Sequence, residues 1–249
     1  MDTSTVTTTG TVMERPTAIA TDASALLYLL QTATSFFPTG AFAHSYGFET
    51  LSQDGTIVDA ATLQRQALLW LRHGMASADG AVCAMAWAAT RDGRDADLEA
   101  LDDTLNALRI TRETREASLS TGRAFIRAGV DAFAEPGLRR YESAVAAGVC
   151  LGHYATAFGV AGHDAGVPQL DTVAALLHSG LTSLIGVAAR IIPLGQIAVQ
   201  KIVAEARVEV LECARRALTI ELDDLGTSTA LLDVASMAHE RIYTRLCIS

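Results

Sequence analysis

The sequence predicts an all-α fold, a single-domain helical bundle of about ten helices. Three observations lead there. No stretch sustains the alternation of apolar and polar residues that a half-buried strand requires. Apolar residues recur instead at three- and four-residue spacing in one segment after another. Between those segments, Asp, Ser, Gly and Pro fall where helix caps and breaks belong. Half of the 249 residues are hydrophobic and 19% are charged, which is enough apolar material for one large core and excludes a disordered chain. Neither an internal repeat nor a Pro/Ser-rich linker divides the chain.

Residues 1–20 are Thr-rich and unpatterned and predict a mobile tail ahead of a helical domain over 21–238. A first helix runs from an Asp22 or Ser24 cap through Leu26, Leu27, Leu29 and Leu30 to Thr34. Pro38 stops it, because proline also drives the residue before it out of helical geometry. The corner FFPTGAFAHSYGFET (36–50) spends aromatics on what would otherwise be a polar turn, so it reads as a packed corner, followed by a short helix from Ala43 to Leu51. Asp59 caps the next helix, with Leu63, Ala67, Leu71 and Met75 on one face, and Asp79 begins another that ends at Asp92-Gly93. Leu98, Leu101, Leu105 and Leu108 mark an amphipathic helix, and Thr111–Phe125 continues helical until Glu135-Pro136-Gly137 breaks it. Gly-rich pieces follow over Arg139–Leu151 and His153–Val160. Asp171 caps a long helix that Pro193 and Gly195 interrupt; another runs from Gln196 to about Leu218, and a last one from Ser228 to Met237. The closing HERIYTRLCIS (239–249) reads as a docking tail, since Tyr and Arg anchor interfaces and a flexible tail can order on binding.

Composition also restricts the chemistry. A formal charge of −9 argues against nucleic acid as a partner. Of the 19 basic residues only Lys201 is lysine, which fits either guanidinium–carboxylate pairing or, given the alanine richness, a genomic composition bias. Cys83, Cys150, Cys213 and Cys247 are far apart and read as free thiols. The N-terminus lacks the pattern of a signal peptide, and the most apolar span, Leu181–Ala204, carries Arg190, Gln196, Gln200 and Lys201, which predicts a core helix and no membrane span. A cytoplasmic protein is expected.

No phosphate-binding glycine loop, nucleophile elbow or paired metal-ligand motif is present. His44, His73, His153, His163, His178 and His239 are scattered, and His239-Glu240 lacks the second histidine of a zinc-protease helix. No catalytic residue, cofactor or tightly bound metal is therefore assigned. Two alternatives stay open: a chaperone that binds a metal ion directly, and an all-α enzyme with a pocket built from His44, His153 or His178.

Four blocks carry a resemblance to a known family. They are Pro38-x-Gly40-Ala41-Phe42 followed by His44, Ser45, Gly47 and Glu49; Arg112-Glu113-Thr114-Arg115-Glu116 with Ser118 and Gly122; Ala189-Arg190 with Pro193-Leu194-Gly195-Gln196 and Gln200; and Ser236-Met237 with His239, Glu240, Tyr243, Arg245 and Leu246. In this order, from about Leu26 to Ser249, they resemble the urease accessory protein UreF family. Ala43 stands where that family usually has serine, and Cys247 where it usually has an aromatic residue. The resemblance implies an all-helical homodimer without enzymatic activity. It implies binding to UreD (also called UreH) and through it to apo-urease, and recruitment of the GTPase UreG, whose GTP hydrolysis is coupled to nickel delivery. The residues of the four blocks are then the expected partner-binding residues.

Overall fold

Two helices rich in small residues, Ala81–Arg91 and Tyr154–Asp164, pack face to face at the centre of the chain in the computed structural model, which describes residues 22–133 and 135–248. A Cβ on Gly159 would run into the carbonyl oxygen of Cys83, so glycine there is what lets the two backbones come this close. The described elements are α1 (Ala23–Thr32), α2 (Phe48–Gln53), α3 (Ala60–Trp70), α4 (Ala81–Arg91), α5 (Asp97–Leu108), α6 (Arg112–Phe133), α7 (Pro136–Ala146), α8 (Tyr154–Asp164), α9 (Gln169–Ile191), α10 (Gln196–Glu205), α11 (Arg207–Ala217) and α12 (Ala230–His239). No strand occurs among the described residues, and one apolar core runs through the whole set. The fold is all-α and single-domain, as the periodicity predicts.

Helix α9 is long and apolar enough to cross a membrane by length and composition, but its Leu176, Leu177, Leu181, Leu184 and Ile185 are buried against neighbouring helices. It is the axial core helix. An aromatic cluster closes one end: Phe125 of α6 lies 5.3 Å from Phe37, 5.4 Å from Tyr154 and 5.5 Å from Phe158. Phe37 is thus the side chain that fixes the Pro38 corner to the core.

Several boundaries differ from the sequence reading. Asp79 begins no helix: the chain stays helical from Ala60 to Arg91 through a wide-turned π segment at Leu71–Gly80, and Asp79 pairs with Arg109 instead. The helix expected over Ala43–Leu51 starts only at Phe48, because Tyr46 (φ 50°) and Gly47 (φ 86°) are left-handed. Pro168, not Asp171, precedes α9, leaving Asp171 in its first turn. The helix expected from Gln196 to Leu218 is two, turning at Ala206 so that Val199, Ile202 and Val203 as well as Val210, Cys213 and Ala214 face the core. The last helix reaches His239. Of the terminal residues, 1–21 and Ser249 lie outside the described residues, and with them the tail expected over 1–20.

Candidate functional site

The Pro38–Glu49 corner is built by backbone geometry that its glycines permit. Gly40 (φ 76°) leads into a single 3-10 turn, Ala41–Ala43, and the left-handed pair Tyr46-Gly47 swings the chain into α2. A Cβ on Gly47 would lie 2.9 Å from the carbonyl oxygen of Leu232 and 3.0 Å from the nitrogen of Ser236, so this corner sits directly on α12. The Thr50 hydroxyl donates to the Ala235 carbonyl at 2.8 Å and ties the same two elements. Glu49, in the first turn of α2, thereby faces the end of α12.

There three separated blocks meet. The fully buried His239 ring stands between two carboxylates, with Nε2 3.1 Å from Glu49 and Nδ1 2.9 Å from Glu113. Each ring nitrogen faces a carboxylate oxygen, so the ring is held from both sides. Arg245 donates to the other Glu113 oxygen at 3.1 Å. Glu49 also accepts the backbone N–H groups of Leu246 (2.8 Å) and Cys247 (3.0 Å). Burial opposes charge on Glu49, but the Leu246 N–H, His239 and Cys247 outweigh it and hold its pKa below the usual carboxylate value. The Ile248 N–H donates to the Ala43 carbonyl at 2.8 Å, so residues 246–248 run along the corner and are anchored at three successive amides.

Around this buried junction the other predicted residues are spread between the surface and the interior. Arg112 bridges Glu240 (3.2 Å) and Glu116 (3.7 Å), and Arg115 donates to the Arg109 carbonyl at 3.2 Å. Arg190, near the end of α9, donates to the Phe42 carbonyl at 2.5 Å, which brings the α9–α10 turn with Pro193 and Gly195 against the corner. Gln196 and Gln200 lie apart from the junction, in a groove of about 580 Å3 between α1 and α10 that His178 also lines. Ser45 is buried, and His44 lines a cleft of about 400 Å3 with Arg112, Glu113, Arg245 and Ile248. Tyr243 is fully exposed, and Leu246, Ile248 and the α12 residues Leu231, Val234 and Met237 are also exposed apolar side chains.

The histidines do not assemble a pocket. His153 is buried with Nδ1 2.9 Å from the Ser118 hydroxyl, and burial together with Arg109, Arg123 and Arg115 pushes its pKa down to about 3. His44 and His178 occupy the separate cleft and groove, each with a pKa lowered by burial. No group of three or more His, Cys, Asp or Glu side chains among the described residues is placed to hold a metal ion. The chain's other polar hub was not singled out from sequence. Buried Asp102 accepts from the Tyr141 hydroxyl (2.7 Å), the N–H groups of Leu151 and Gly152 (2.8 Å each) and the Thr156 hydroxyl (2.7 Å). A signal existed: Asp102 falls on the Leu98–Leu101–Leu105 stripe, where an acidic residue must be buried and paired.

This junction of corner, α6 start and chain end brings together three of the four blocks that carry the family resemblance, and the sequence model of the UreF family matches residues 57–207. The chain belongs to the UreF family. Urease accessory protein UreF of Rhodopseudomonas palustris (strain BisA53) is 38% identical, over 93% of this chain and 96% of the relative. That of Bradyrhizobium diazoefficiens is 36% identical over 91% and 93%. That of Lachnoclostridium phytofermentans is 32% identical over 90% and 98%. These relatives carry the name urease accessory protein, which makes UreF a family of accessory proteins in urease maturation.

Proposed function

We propose that this UreF family member serves urease maturation as a scaffold, joining UreD on apo-urease to the GTPase UreG so that GTP hydrolysis drives nickel delivery. Nickel is cargo of the assembled complex, and the work is cytoplasmic. UreD meets the exposed apolar side chains of Tyr243, Leu246, Ile248 and α12, and the Arg112–Arg245 cleft. The Arg190 side of the corner, with the Pro193–Gly195 turn, shapes the surface toward UreG. A second copy of the chain covers α1 and α10, where Leu26, Leu27, Leu30 and Ile197 are exposed around the groove that Gln196 and Gln200 line.

The observation that carries the UreD assignment is the contrast within the closing segment. Its backbone is pinned to Glu49 and Ala43, while Tyr243, Leu246 and Ile248 point to solvent. A surface held ready in this way binds without paying the full entropy of ordering a free tail. The buried members, His239, Glu49 and Glu113, set its position and touch no partner themselves. The test is the double substitution Tyr243→Ala/Leu246→Ala. Its melting temperature should match the parent, since exposed side chains contribute within about ±0.5 kcal/mol, while co-purification with UreD should fall at least tenfold. Undiminished co-purification would remove these two side chains from the interface.

A further inference from the structure

Between α4 and α5, which a short turn at 92–96 joins, lies a groove of about 360 Å3 whose lining shares no residue with the four blocks. Its floor is apolar and built largely of small side chains. Met85, Ala88 and Ala89 recur at helical spacing on α4, and α5 contributes Ala100 and Leu101. Leu222, 41% exposed in the single 3-10 turn Leu222–Asp224 that follows α11, adds an apolar wall. The charges left free around this floor are of one sign. Arg94 is taken by Asp97 and by Asp92 at 3.2 Å. Arg91 is taken by Asp92 at 2.7 Å and lies over the Trp87 ring, 5.6 Å from its centroid. Glu221, Asp223 and Asp224 flank Leu222, all three exposed, and no side chain among the described residues pairs with them.

We propose that this groove docks a basic segment of a partner protein: an apolar side chain rests on the alanine floor, and Lys or Arg residues beside it meet Glu221, Asp223 and Asp224. Sign and shape together select this occupant. A small cation would neutralise the carboxylates and leave the apolar floor in water. A neutral apolar segment would cover the floor but draw unpaired carboxylates into an interface, which is costly. A second copy of this chain, at a formal charge of −9, brings like charge to the acidic turn. Phosphate-bearing surfaces are repelled in the same way. Three carboxylates within four residues also repel one another in the free chain, and a basic partner relieves that repulsion on docking. Attraction of this kind speeds encounter more than it holds a complex, so binding should be fast and salt-sensitive. The proposal rests on neither the UreD nor the UreG assignment above.

The test is fluorescence anisotropy of a labelled lysine–leucine peptide, KLKKLK, with the full chain at low and at high salt. The peptide should bind the parent at low salt and lose affinity at high salt. The triple substitution Glu221→Gln/Asp223→Asn/Asp224→Asn should weaken binding at least about tenfold. Ala100→Phe, which fills the floor and keeps every charge, should weaken it by a similar factor. All the substituted residues are exposed, so both variants should melt with the parent. The serine peptide KSKKSK, which requires no variant of the protein, should bind the parent at least about tenfold more weakly than KLKKLK. Absence of KLKKLK binding, equal affinity for the two peptides, or undiminished binding by either variant overturns the proposal.

Discussion

Replacing Glu49 by glutamine tests whether the junction holds the chain's end in place. The carboxylate accepts three donors: the Leu246 N–H at one oxygen, and the Cys247 N–H and His239 at the other. An amide of the same shape keeps only one oxygen. In its better orientation it retains Cys247 and His239, but turns an NH2 group on the Leu246 N–H and loses the charge opposite the His239 ring. A hydrogen bond to a charged group is worth about 1.5–3 kcal/mol, and a buried N–H left without its acceptor carries a desolvation penalty of similar size, so about 3 kcal/mol is expected. For a domain of this size, roughly 2–4 °C of Tm accompanies each kcal/mol, which gives a fall of about 6–12 °C. Scanning calorimetry reads this if α12 and the corner unfold with the core. If residues 246–248 lift off alone, the loss appears as faster amide exchange at Leu246 and Cys247 with Tm nearly kept. A Glu49→Gln protein with Tm within about 2 °C of the parent and unchanged exchange at both amides would refute the reasoning.

Two further outcomes are expected. Leu27→Asp should leave the fold intact, because Leu27 is 66% exposed, yet shift the light-scattering mass from that of the proposed dimer to 26.2 kDa; an unchanged mass would clear α1 of any part in self-association. Asp102→Ala should cost about 3–5 kcal/mol in urea unfolding, since it strands the Leu151 and Gly152 N–H groups and the Tyr141 hydroxyl. Asp102→Asn should cost less, because the Thr156 hydroxyl can turn to accept from the amide; equal losses in the two variants would contradict the hub.

The sequence by itself determined the fold class, because helical periodicity and cap residues are local properties that hold wherever the helices later pack. It also marked the corner, the α6 start and the chain end as unusual, since aromatics beside glycines and charged residues in apolar surroundings are visible without coordinates. Local signals failed where the outcome depended on distant contacts. No residue near Asp79 indicates that Arg109 will claim its carboxylate, and nothing around Ala206 breaks a helix except the need of α10 and α11 to bury their separate apolar faces. The roles within the junction were the least legible. Glu49, Glu113 and His239 lie 64 to 190 positions apart, and Glu49 and His239 meet only because Gly47 lets the corner rest on α12. Burial therefore separated residues that the sequence had grouped together. The tertiary structure made His239 a post between two carboxylates and left Tyr243 in water, because only the packed chain decides which side chains must find partners inside and which remain free to find them outside.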